Sequence, residues 1–119
     1  MSKSQTASLC NVYETSDWHV QLDRLDGSEE KYFLKITGHV DLPSPGYIIS
    51  WRMGITDRAR PPGQRIILKA VEPDNISMQV ITRKDVVFEQ EVPFSEYSHI
   101  SIYCGDRLLE RIEDIQASN

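Results

Sequence analysis

Apolar residues recur at every second position through most of this chain, and proline and glycine interrupt the pattern at short intervals. Trp18, Val20 and Leu22 alternate with His19, Gln21 and Asp23. Tyr32, Leu34, Ile36 and Val40 share one side, with Lys31, Lys35, Thr37 and His39 on the other. Tyr47, Ile49, Trp51 and Met53 alternate with Ile48, Ser50 and Arg52. Later runs cover 66–71, then Ile76, Met78 and Val80, then 86–88, then Ile100, Ile102 and Cys104. A strand turns successive side chains to opposite faces, so this period puts one face on a core and the other in water. The breaks are turn chemistry: Asp26-Gly27, Pro43-Ser44-Pro45-Gly46, Pro61-Pro62-Gly63, Pro73-Asp74-Asn75 and Pro93. Each fixes φ, removes a donor or permits positive φ. Gly105-Asp106 is a two-residue hairpin signal.

Such spacing predicts an all-β fold, an antiparallel sandwich of seven or eight strands. The tail is the one segment with two readings. Leu108, Leu109, Ile112 and Ile115 fall at helical spacing with Asp106 placed as a cap, whereas the Gly-Asp hairpin favours a final strand. The strand is the expectation adopted. The first seventeen residues are polar and aperiodic, so 1–17 is expected to be a flexible arm, 18–116 a single domain and 117–119 a tail. A length of 119 residues suits one domain with a core of its own. Trp51 lies on the strongest alternating run between Cys10 and Cys104, a pattern that resembles immunoglobulin-like sandwiches.

Thirteen Lys and Arg stand against eighteen Asp and Glu, a net charge of −5. That balance argues against a general nucleic-acid binder or a polybasic membrane-surface protein. No run approaches the ~18 apolar residues of a membrane span, and no apolar leader precedes Cys10. The expected compartment is the cytoplasm, with the periplasm or secretion as the alternative if a leader was removed. For a cytosolic chain the two cysteines read as unrelated buried thiols. Were they paired, the bond would close a long loop worth about 4–5 kcal/mol.

No enzyme signature is visible. His19, His39 and His99 lie far apart, without the spacing of a zinc site, and there is no nucleophile elbow, P-loop or G-x-G-x-x-G cradle. Carboxylates cluster as on solvated faces: Glu29-Glu30, Glu89 with Glu91, and Glu110, Glu113 and Asp114. The chain is expected to be non-enzymatic, without catalytic residues, metal or cofactor.

Two segments suit recognition. In the first, Pro43 and Pro45 pin the backbone, Gly46 permits positive φ and Tyr47 follows at once, giving a stiff loop with little entropy to lose on binding. The same residues suit a tight turn with Tyr47 and Trp51 in the core. Leu42-Pro43-Ser44-Pro45-Gly46-Tyr47 resembles the N-P-T-T-G-Y loop of chagasin-type inhibitors of papain-like cysteine proteases. By that resemblance Pro43, Gly46 and Tyr47 would form a wedge for a protease cleft. Leu42, Ser44 and Pro45 depart from the family's Asn and Thr residues, and its R-P-W element has no counterpart.

The second segment holds four arginines, Arg52, Arg58, Arg60 and Arg65, in fourteen residues of an acidic chain. Arginine suits bidentate carboxylate or phosphate recognition and stacking on aromatic faces. The plainer reading is a solvated loop whose arginines pair with the Glu-rich C-terminal strand. Together these features predict a binding module that recognises another protein, of acidic character, through loops 42–47 and 54–65. Pro43, Pro45, Gly46, Tyr47, Arg58, Arg60 and Arg65 are the candidate contacts. A chagasin-like inhibitor is the alternative, and pairing of the 84–92 strand with another chain is a third reading.

Overall fold

The computed structural model describes residues 10–25, 31–74 and 79–118. Eight strands occur among them: β1 (Thr15–Arg24), β2 (Tyr32–Leu42), β3 (Ile48–Thr56), β4 (Gly63–Val71), β5 (Thr82–Val92), β6 (His99–Cys104), β7 (Arg107–Ile112) and β8 (Ile115–Ser118). They form two four-stranded sheets, β5-β2-β1-β8 and β3-β4-β6-β7. No helix is present among the described residues, so none crosses a membrane.

Alternation fixes the register of both layers. Val20, Leu22, Leu34, Ile36, Val40, Val86 and Phe88 point inward from the first sheet, and Ile66, Leu68, Ile100, Ile102 and Ile112 from the second. Enclosing each such side chain contributes roughly 1.5–3 kcal/mol. A one-residue slip would turn the whole inner row to water, so these faces hold the pairing in place. The Gly105-Asp106 turn joins β6 to β7, with Gly105 at φ 63°. The tail is strand throughout: β7 ends in the second sheet, and β8 crosses to lie beside β1 in the first.

Three features differ from the sequence expectation. Pairing is mostly antiparallel, but β1–β8 and β4–β6 run parallel. Residues 10–17 are not an arm, because Val12 is enclosed in the core and Thr15 already belongs to β1. Tyr13 N–H donates to the Asp41 carbonyl at 2.8 Å, and the Arg107 guanidinium donates to the carbonyls of Val12 and Tyr13. Residues 1–9 lie outside the described residues, as do Ile76 and Met78 of the expected 76–80 run, whose Val80 is exposed and precedes β5 rather than lying in a strand; Ser118, expected in the tail, ends β8. Third, Cys10 and Cys104 are not separate thiols but a disulfide, with Cα atoms 5.4 Å apart. The bond fastens the segment leading into the first sheet to the end of β6 in the second.

A bulge interrupts the β1–β2 register between Ser16 and His19, with Asp17 at φ 56°. The indole of Trp18 is thereby laid over Gly38 on β2, so closely that a Cβ there would fall 2.3 Å from the ring.

Two outcomes are expected. Replacing both cysteines, Cys10→Ser with Cys104→Ser, lowers unfolding free energy by about 4–5 kcal/mol, measured as the shift in urea midpoint. Gly38→Ala pushes the indole off its seat and costs about 1–3 kcal/mol, visible in the same titration and as a shift in tryptophan emission.

Candidate binding face

Strand β3 separates the two loops that the sequence singles out. One precedes Ile48 and the other follows Thr56. Nine extended residues span about 30 Å. Pro43, Pro45, Gly46 and Tyr47 therefore sit at one end of the sandwich and Arg58 and Arg60 at the other. Loops 42–47 and 54–65 do not form one surface.

The first loop is largely turned inward. Leu42, Ser44 and Tyr47 are buried, Pro43 is half-buried, and only Pro45 and Gly46 are exposed. Burial pushes the Tyr47 phenol above its ordinary pKa, with the charges of Glu72 and Tyr13 adding to the effect. Its carbonyl accepts a hydrogen bond from Lys84 Nζ at 3.1 Å.

The second segment is mostly strand. β3 runs through Thr56 and β4 begins at Gly63, so the connection itself is only 57–62. Asp57 clasps it: Oδ1 accepts from Gly63 N–H at 2.8 Å and Ala59 N–H at 3.0 Å. These two bonds, Gly63's the larger influence, hold the Asp57 carboxyl below its ordinary value of 3.8, with His99 and Arg111 assisting. Behind the clasp lies Gln64, which is enclosed despite being polar. Its amide donates to the carbonyls of Gly54, at 3.1 Å, and Arg65, at 2.9 Å, and its oxygen accepts from Thr56 Oγ1. Nothing in the turn chemistry signals this role, but a glutamine on the inward side of an alternating run is itself a signal.

Arg65 belongs to β4, not to a loop. Period 2 sets Arg65, Ile67 and Lys69 side by side on the outer face, and the β3 register brings Arg52 opposite Ile67. The Arg65 guanidinium lies over the Tyr103 ring, 4.2 Å from its centre, which fixes its position. Arg52, Arg65 and Lys69 line a depression of about 820 Å³ with Ser50, Trp51 and Ile67, and Glu72 and Asp106 also border it. A smaller hollow of about 120 Å³ continues the face toward His99 and Ser101 and shares Arg65. Exposed Ile48, Val71 and Leu108 belong to the same sheet. Arg52, Arg58, Arg60 and Lys69 have no carboxylate partner among the described residues, and Arg111 pairs with Glu113 at 3.0 Å. The C-terminal strand thus does not neutralise the Arg-rich segment.

The opposite outer face carries more carboxylates than cations. Asp17, Asp85, Glu89 and Glu91 are exposed there. Lys35 stands among them, as do Lys31, which pairs with Glu91, and Arg83, which pairs with Asp41. His39 is held between two of the carboxylates, with Nδ1 2.9 Å from Asp17 Oδ2 and Nε2 3.0 Å from Asp85 Oδ1. Each nitrogen faces a different carboxylate, so the three side chains form one cluster across adjacent strands. Among the described residues no group of three His, Cys, Asp or Glu is placed to hold a metal.

Because the Asp57 carboxyl is depressed in the folded chain, its clasp is complete above the ordinary carboxylate range and weakens as pH falls through the lowered value. Amide exchange at Ala59 and Gly63 is expected to lose protection in that acid window, and Asp57→Ala to lose it at neutral pH. No protein-family model, no curated protein and no solved structure matches this chain.

Proposed function

We propose that this chain is a non-enzymatic binding module on an immunoglobulin-like sandwich, and that its partner is an acidic protein. The recognition surface is the outer face of β3, β4 and β6, with Arg58 and Arg60 projecting at one end. The observation that carries this reading is the gathering of Arg52, Arg65 and Lys69 around one 820 Å³ depression in a chain of net charge −5. Unpaired cations on an acidic protein attract a complementary surface and steer its approach. The exposed apolar residues beside them supply area that desolvates on contact. Arg65 is pre-positioned on Tyr103, so less freedom is lost when it engages a carboxylate.

Support for the immunoglobulin-like reading comes from the two packed layers and from Trp51, which lines the same depression as disulfide-bonded Cys104. Disulfides persist in oxidising compartments, so the Cys10–Cys104 bond gives some support to a periplasmic or secreted location over the cytoplasm. The chagasin-like alternative rests on the exposed Pro45-Gly46 tip alone, since Tyr47 is turned to the core.

Titration with poly-glutamate, followed by the backbone amide chemical shifts of Arg52, Arg65 and Lys69, is expected to show saturable shifts at low salt that weaken as salt rises. Arg52→Glu, Arg65→Glu and Lys69→Glu should each reduce affinity, by roughly tenfold when two are combined. Binding that survives all three reversals would remove the proposal. Undiminished papain activity in the presence of the protein would remove the inhibitor reading.

A further inference from the structure

β3 is, among the described residues, an edge strand of its sheet, paired only with β4. Among the described residues no backbone–backbone hydrogen bond reaches its other side. An open row of N–H and C=O groups is a template for another strand.

The side chains beneath that row are left uncovered. Ile49, Trp51 and Met53 point inward and pack on the core, yet each is only partly buried. Ile66 and Leu68, the equivalent residues of neighbouring β4, are wholly enclosed. The sandwich therefore closes less completely along β3 than along β4, leaving an apolar strip partly exposed under the edge. On the outer side the strand presents Ile48, Ser50 and Arg52, with Lys69 and Arg65 one strand further in.

The other edge nearby is built differently. Ring contact between Trp51 and Phe88, 5.3 Å between centres, sets β5 alongside β3 in the facing sheet. Lys84 occupies the inward side of β5, its ammonium bonded to the Tyr47 carbonyl, and Asp85, Glu89 and Glu91 line its outer side. An inward lysine is a recognised guard against strand addition. β3 carries no charge on its inward side over 48–53.

We infer that β3 accepts an extended segment of the partner as a fifth strand, and that this segment alternates apolar and acidic side chains. The inference rests on the acidic-partner reading above and specifies how that partner is held. An added strand lies about 4.8 Å from β3. Its inward apolar side chains cover Trp51 and Met53, while its outward carboxylates lie beside Arg52 and within reach of Lys69. Main-chain hydrogen bonds supply affinity and the alternation supplies selectivity.

The test uses three capped nine-residue peptides and the full chain. One alternates five Glu with four Val, the second has the same composition in two blocks, and the third replaces Glu by Lys. The alternating acidic peptide is expected to bind, to slow amide exchange at every second residue of 48–53 by at least tenfold, and to bind more weakly to Arg52→Glu. The block and Lys peptides are expected to bind at least tenfold more weakly. Equal binding of both acidic peptides with unchanged exchange in β3 would overturn strand addition and leave the basic face intact as the site. Failure of all acidic peptides and of poly-glutamate would overturn the acidic-partner reading as well. Protection of 48–53 in the free protein together with a dimeric mass would assign the edge to a second copy instead, and would also overturn the inference.

Discussion

The shared inner layer of aliphatic side chains is the constraint from which the other features follow. Leu34 and Ile36 in one sheet and Ile66, Ile100 and Ile102 in the other are sealed from water, and their burial holds only if every strand keeps its register. Once it does, the outward residues have no choice of face. Arg65 and Lys69 must stand together outside β4, and Asp85 and Glu89 outside β5. The charge separation of the molecule is thus a by-product of core packing, produced by strict alternation on each strand.

Much of the architecture was legible because strand alternation is local. The inward rows of β1, β2, β3 and β6, the hairpin at Gly105 and the strand character of the tail all follow from period 2 and turn chemistry, whereas 66–71 and 86–88 read as continuous apolar runs whose faces the fold decides. The disulfide was legible only as one of two readings. Pairing of Cys10 with Cys104 could be named, but nothing local to either residue chooses it over two separate thiols; the assembled layers bring these distant positions within bonding distance. The parallel pairs β1–β8 and β4–β6 escape for the same reason, since each depends on how the chain crosses between layers.

The site was legible in part. Four arginines in fourteen residues drew attention to the segment that borders the proposed face, but a loop was expected where β3 and β4 extend nearly to the turn. Gln64 and the Asp57 clasp explain the difference, because they tie the connection down to six residues, 57–62. The Pro43–Tyr47 segment shows the opposite outcome. Its prolines do stiffen a connection, and the tyrosine that suggested a recognition tip instead closes the core. In both cases, which side chains face solvent depended on the fold.

The disposition of charge has a consequence for motion before contact. With Arg52, Arg65 and Lys69 on one broad side and an excess of carboxylates, Asp17, Asp85, Glu89 and Glu91 among them, on the other, the molecule presents different charge on its two broad sides. Near a negatively charged body it experiences a torque as well as a pull, and turns its cationic side forward during diffusion. Fewer collisions are then wasted on the wrong orientation, even though the net charge of −5 alone would predict repulsion.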